Sequence, residues 1–453
     1  MPILSNEPGQ NEKLLNPGNI ITLAVIFFFA LFIRLAYINT TVVDHPIRAD
    51  ARNYVVYAYN LVEHGVFSRQ ENSSNPAPDS FWAPGFPAYM AVITRLFGKQ
   101  SFYKNVLYGH ALMGAIVAGT AFLFAITFLP YWAALSAALL ICLSPHLISS
   151  GGYLLTETSL SFFYFMAVVS FYFATRKCSP GLYAFSGLLF GYAYLVNPVI
   201  FFLPWIFAIL VWKNIRPSMD QFATNTRKYL LVFLAVYTVF WGGWSVRNVI
   251  NVDAGSSSSQ GRALENLVIG THPDFFRNYR SGAFHRENKP PVHDEIKDSE
   301  GSILTFLNEN LFPRFAQDPG RYLTWYLFEK PYLLWSWDAL VGWKDIYTYP
   351  TPQSLYTVSD SAAATRSIMK AMHPILLIIF LLGLLILLFQ SSTNKSKTIE
   401  ASTIMFITVA YITVIYSILQ SDSRYSIPFR PELYIGAIWS IQKLTGIIRS
   451  IKT

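Results

Sequence analysis

Long apolar runs divide the chain. They lie at Ile20 to Ile38, at about 102 to 129, 131 to 149, 155 to 174 and 179 to 212, in a stretch ending near Val246, and at about 371 to 389, 401 to 419 and 431 to 448. Runs of this length with few charges read as membrane-crossing helices. The run from Ser179 to Trp212 is too long for one crossing and is broken at Asn197-Pro198, so it reads as a hairpin with two short arms. The pattern predicts an all-α polytopic membrane protein of about ten transmembrane helices. The first run is long enough to span and no clear small-residue cleavage site follows it, so it is expected to be a span and not a cleaved signal peptide.

The segments between the runs sort by charge. Arg176, Lys177, Lys213, Arg216, Arg227, Lys228, Lys395, Lys397, Arg449 and Lys452 fall in short loops or the tail on one side, whereas the short turns of the other side hold only Arg424 and Arg430. Basic loops stay in the cytoplasm, so both termini are placed there. The organisation that follows is a cytoplasmic tail at 1–19 and a catalytic transmembrane domain at 20–246 that includes a first outer loop at 39–101. A long outer-face loop follows at 247–370, and C-terminal transmembrane helices with a short tail occupy 371–453.

In the first outer loop Tyr54, Tyr57, Ala58 and Leu61 recur at helical spacing, which predicts an amphipathic helix near the membrane surface with Asp50 in its first turn. Pro84, Gly85 and Pro87 open a further short apolar segment, and Arg95 argues against its crossing the bilayer. In the long loop, Ile303 to Phe315 and Tyr322 to Trp337 predict short helices over the outer face. The chain carries no internal repeat of the kind that marks many transporters.

Composition supports this picture. With 53% hydrophobic and only 13% charged residues, the chain is excluded from the soluble globular class. The net charge of +8 resides mostly in the basic clusters between apolar runs, so it calls for no nucleic-acid partner. Cys142 and Cys178 form neither a metal spacing nor a disulfide framework.

A few polar residues remain that the membrane pattern does not use. Asp50 is either a helix cap or an acid presented to water just beyond the first span. Glu157 is either a first-turn acid favoured by the dipole of its helix or a second carboxylate facing Asp50. Arg34, Arg247 and Arg424 lie towards the outer ends of the spans, where they either anchor helices at the interface or converge on a phosphate. Tyr54, Tyr57 and Trp82 either stack on sugar faces or sit at headgroup level. His272, His285 and His293, with Asp274, Glu287, Asp294 and Glu295, show no ligand spacing, and no metal site is expected from them.

The ordered set RADARNYVVYAYNL, WAPGFPAYMAVITRLFG, YLLTETS, YAYLVNPVIFFLPW, WGGWSVRNVI and SRYSIPFRPEL resembles the membrane glycosyltransferases of type C fold, the broad group containing protein O-mannosyltransferases and lipid A aminoarabinose transferases. The likeness extends from about Ile20 to Lys443. It implies an integral membrane enzyme, placed in a bacterial inner membrane with its site on the periplasmic or outer face. Its donor would be a sugar on a polyprenyl-phosphate carrier, and its acceptor a lipid, glycan or protein. The family's catalytic acid matches Asp50, with Glu157 as its partner in catalysis. Arg34, Tyr54, Arg247, Arg424 and Tyr425 become the candidate substrate-binding residues.

Two departures bear on the chemistry. Asp50 is followed by Ala51 where many members carry a second acid, which weakens a divalent-metal assignment, so no cofactor is expected. Asn197-Pro198 stands where members often have Arg-Pro. A transporter or flippase of lipid-linked sugars is the rival reading, with an O-antigen polymerase or ligase as an enzyme alternative; the gathering of acid and arginines on one face favours the transferase.

Overall fold

The computed structural model describes residues 16–214, 221–252, 258–273, 275, 292–299, 302–340, 342–391 and 400–452. Among them there is no β-strand, only the isolated bridges Val42 to Gln353 and Lys344 to Tyr347. The protein is an all-α integral membrane protein. Its principal helices are α1 Pro17–Thr40, α2 Ala49–Glu63, α3 Gly85–Phe97, α4 Phe102–Ala125, α5 Tyr131–Leu143, α6 Pro145–Ser149, α7 Glu157–Lys177, α8 Pro180–Val196, α9 Leu203–Asn214 and α10 Gln221–Asn251. In the long outer loop come α11 Ser259–Gly270, α12 Val292–Asp298 and α13 Lys330–Trp335, with shorter pieces at Ile303–Phe306, Phe312–Gln317 and Pro319–Thr324. The chain then continues through α14 Asp360–Ser391, α15 Ala401–Ile418, α16 Ser423–Ser426 and α17 Arg430–Lys452.

Local chemistry sets the boundaries. Asn16 caps α1 by accepting a bond from the Asn19 amide at 2.7 Å, with Pro17 in the first turn, where its missing N–H costs nothing. Cys178 ends α7 in the left-handed region at φ 47°, and Ser179-Pro180 then starts α8 with a side-chain cap. Asn197-Pro198 stops α8, as the residue before proline is driven out of the helical region.

Helix α1 packs on α4, α4 on α5 and α7, α7 on α8, and α8 on α10, while α17 joins α5, α14 and α15. The exposed apolar side chains of α1, among them Ile21, Phe28 and Phe32, lie opposite its buried Ile26, Ala30 and Tyr37 and form a lipid-facing stripe. Among the described residues six helices are long and apolar enough to cross a membrane, or seven if α5 and α6, bent by 47°, form one broken span. The remaining predicted crossings correspond to shorter or more polar helices. The 17 residues of α8 reach only ~25 Å at the α-helical rise, against a core of ~30 Å. Helix α17 buries Arg430 and Glu432 in its first turn.

The first outer loop folds back on the bundle. Helix α2 buries Tyr54, Tyr57 and Ala58 and packs on α3. Gly85 permits α3 to meet the end of α8, since a Cβ there would lie 2.7 Å from the backbone at Leu195 and Val196. The connection from α2 to α3 is fixed by buried Asp79, which accepts from the Tyr57 hydroxyl and from the amides of Arg69 at 2.7 Å and Phe81 at 3.2 Å.

Candidate functional site

At one end of the bundle, α2, α7 and α16 bring three charged groups together. Asp50 sits in the first turn of α2 without serving as its cap: that position is Arg48, which makes no side-chain cap bond. The Asp50 carboxylate accepts from Arg424 Nη2 at 2.8 Å through Oδ2. Directly before it Ala49 takes φ 46°, a left-handed conformation that costs an L-residue with a Cβ and that recurs at functional sites.

Glu157 opens α7 and is only 4% exposed. Its Oε1 accepts from Arg424 Nε, and its Oε2 is buried with no hydrogen-bond partner. Arg424 thus spans both acids from the short helix α16. That helix is capped by Asp422, whose Oδ1 accepts the Arg424 amide at 2.9 Å. Burial alone would lower the pKa of the Arg424 guanidinium, but the Glu157 and Asp50 charges outweigh it and push it well up, so this arginine stays charged.

These groups line a cavity of about 650 Å³. Its lining carries the charged Asp50, Glu157, Arg424 and Arg262 together with the aromatic and aliphatic Phe201, Phe202, Tyr411, Ile415 and Ile418 from the turn before α9 and from α15. Of these, Phe202 is 55% exposed and Ile418 49% exposed. Such a volume and mixed lining suit a ligand with an apolar body and a few fixed polar contacts.

Tyr54 and Tyr425 both reach this cavity. The Tyr54 ring meets Trp82 and Phe86 edge-on at 5.0 and 5.3 Å. Burial, then the Asp50 charge, raises the Tyr54 phenol, which therefore stays protonated. Tyr425 stacks on Tyr416 at 4.9 Å.

The three arginines expected to converge do not. Only Arg424 enters the cavity. Arg34 is buried in the middle of the bundle, where it donates to the carbonyls of Ala30 at 3.1 Å and Ile141 at 3.4 Å. Gly114 leaves room for it, as a Cβ there would fall 2.4 Å from Arg34 Nε. Arg247 donates to the carbonyls of Asp79 at 2.7 Å and Phe67 at 3.3 Å, and lies against the Trp244 ring. Backbone oxygens therefore engage the Nη groups of both arginines, with Arg34 Nε left without a partner, and these bonds tie the side chains to the bundle and the first loop.

The second cation of the cavity is Arg262 on α11, which the sequence reading passed over. Its guanidinium lies 4.2 Å from the centre of the Trp82 ring and pairs with Glu265 at 2.8 Å. Burial lowers its pKa, but Glu265 and then Asp50 raise it by more. A signal for α11 is present in Ser258, followed by the helical spacing of Leu264, Leu267 and Val268. Asn197 also lines the cavity, its side chain capping the following turn through the Val199 amide at 3.1 Å.

No group of three His, Cys, Asp or Glu residues fit to hold a metal occurs among the described residues. Asp274, His285 and Glu287 lie outside them, as does the side chain of His293. His272 and Glu295 do meet, at 3.1 Å, in an ion-paired cluster with Arg314.

No family model matches the sequence, and no curated protein matches it significantly. Among solved structures the chain is similar to the archaeal oligosaccharyltransferase AglB from Archaeoglobus fulgidus, in complex with an inhibitory peptide and a dolichol-phosphate. The TM-score is 0.47 at 14% identity, with 96% of this chain and 52% of that chain covered. It is also similar to ArnT from Cupriavidus metallidurans bound to undecaprenyl phosphate, with TM-score 0.42 at 12% identity and 94% and 78% covered. The chain spans about half the length of the archaeal protein.

Proposed function

We infer that the protein is a membrane glycosyltransferase of type C fold that moves a sugar from a polyprenyl-phosphate carrier to an acceptor hydroxyl on the outer face, with Asp50 as general base. The observation that carries this reading is the mixed lining of the cavity. Its charged residues suit a phosphate-linked sugar, and its apolar residues, with Phe202 and Ile418 exposed, suit the carrier tail.

The chemistry needs four things of these residues. Asp50 takes the acceptor proton as the hydroxyl oxygen bonds to the anomeric carbon, while the bond from that carbon to the phosphate oxygen breaks. Arg424 and Arg262 take up the charge left on the departing carrier phosphate, which needs no general acid. Glu157, which lines the cavity beside Arg424, adds a second negative charge near the sugar ring, where positive charge builds in the transition state. Trp82 and Tyr54 offer aromatic faces to the sugar.

Arg424 also bears on the question of a metal. It engages one oxygen of each acid, so the cation between the two carboxylates comes from the chain itself, which supports a reaction independent of divalent metal. The acceptor is a lipid, glycan or protein, and the membrane is the bacterial inner membrane with the cavity facing the periplasm.

The test uses purified protein reconstituted with a labelled polyprenyl-phosphate sugar. Carrier phosphate is released by the wild type in the presence of a chelator, and release is lost in a folded Asp50→Asn variant. Unchanged release in that variant sinks Asp50 as the base, and activity that vanishes with chelator and returns with a divalent ion sinks metal independence. Movement of intact lipid-linked sugar across the membrane without release identifies a flippase instead.

A further inference from the structure

The last part of the long outer loop runs as a strap across the outer end of the bundle. Four successive carbonyls at its start are each held by a different element. The Trp335 carbonyl accepts from His373 Nε2 of α14 at 2.7 Å, and that of Ser336 from Arg430 Nη2 of α17 at 3.3 Å. The Trp337 carbonyl accepts from His146 Nε2 of α6 at 2.7 Å, and that of Asp338 from the Ser423 hydroxyl at 2.9 Å. Both histidines face a carbonyl through Nε2, so that nitrogen carries the proton. The first of these bonds satisfies the last carbonyl of α13, and the four together fix the strap beside Ser423, the residue before Arg424.

Further along, the strap reaches the other partner of that ion pair. Asp44 donates its amide to the Pro350 carbonyl at 2.8 Å, and Val42 donates to Gln353 at 2.9 Å. Tyr349 lies between these two regions, buried, with its ring edge-on to Tyr153 at 5.4 Å. Its hydroxyl accepts from the Ala51 amide at 3.3 Å and donates to the Arg48 carbonyl at 3.2 Å. One oxygen therefore bridges the residues on either side of Ala49-Asp50, where Ala49 is held at φ 46°. Nothing in the side chain of Ala49 favours that conformation, so neighbouring contacts must impose it.

The geometry points to Tyr349 as a positioning residue whose hydroxyl clamps the left-handed turn at Ala49 and so sets Asp50 against Arg424. The strap then fixes both halves of the ion pair from one segment, Asp50 through Tyr349 and Arg424 through Ser423. The catalytic consequence rests on the transfer reaction proposed above; the clamp itself does not.

A double-mutant cycle between Tyr349→Phe and Ala49→Gly tests it. Phenylalanine keeps the ring and removes only the bridging oxygen, and glycine adopts a positive φ without help. Tyr349→Phe alone is expected to lower the kcat for carrier-phosphate release about tenfold with donor KM unchanged, because the hydroxyl does not line the cavity. In the Ala49→Gly background the same change is expected to cost less than about threefold. The same cycle read as melting temperature in detergent is expected to show a smaller loss for Tyr349→Phe when residue 49 is glycine.

Equal losses in both backgrounds, in rate or in melting temperature, overturn the clamp. A rise in donor KM with kcat intact also overturns it, because the hydroxyl then acts on the substrate. A wild type that releases no carrier phosphate defeats the transferase reading instead, and the melting-temperature cycle still decides the clamp.

Discussion

Two ion clusters of this molecule, each with a buried acid, are built in opposite ways. In the first, one arginine, Arg424, serves two acids, Asp50 and Glu157. In the second, one acid, Glu295, serves two basic groups: Arg314 at 2.5 and 3.4 Å and His272 at 3.1 Å. Both oxygens of Glu295 are therefore occupied, and it is 6% exposed. The Arg424 cluster leaves Glu157 Oε2 without a partner and lines a cavity. A saturated buried ion cluster holds helices together, whereas one with an unspent carboxylate oxygen carries an unmet cost that a ligand can relieve. Glu295 ties α12 to the short helix Phe312–Gln317 and to the end of α11; Arg424 ties the first loop to α7 without closing the space between them.

Substitutions can break this contrast, starting with the largest effect. Asp50→Asn should reduce carrier-phosphate release by roughly 10²- to 10⁴-fold, the range for loss of a general base, with an unchanged melting profile showing that the fold survives. Arg424→Lys keeps the charge but loses the fork that reaches both acids, and should cost about 10²-fold in kcat/KM. Glu295→Gln should act the other way, lowering stability by about 1–3 kcal/mol while the rate per folded molecule stays within about twofold. A Glu295→Gln variant that melts normally but turns over slowly would erase the distinction between the clusters.

Periodicity made much of the fold legible. The apolar runs became helices, and the spacing of Tyr54, Tyr57 and Ala58 placed α2 with Asp50 in its first turn. What local spacing does not carry is pairing over distance. Arg424 meets Asp50 across 374 positions, and no period in the chain distinguishes it from Arg34 or Arg247. Those two found backbone carbonyls, and the space for Arg34 was made by Gly114 on another helix. Arg262 escaped notice because its helix follows a polar serine-rich stretch, where charge looks merely solvated. Tyr349 was hidden for a related reason, since its role depends on the backbone angle of Ala49, which an alanine in a helical pattern does not announce.

The smallest effect concerns acid. Burial alone would raise the Glu295 carboxyl, but the hydrogen bonds and charges of His272 and Arg314 outweigh it and hold it below the usual carboxylate range. An acid whose proton affinity is depressed by folding stabilises the folded state fully above its unfolded value of about 4.3, and that contribution drains away as pH falls through the lower, folded value. Glutamine at this position has no such contribution to lose. The melting temperatures of wild type and Glu295→Gln in detergent should therefore differ most near pH 6 and draw together as pH falls below about 4.3. A gap that stays constant down to pH 3 would mean that the cluster stabilises by shape and packing, and the charge contrast with the Arg424 site would lose its physical basis.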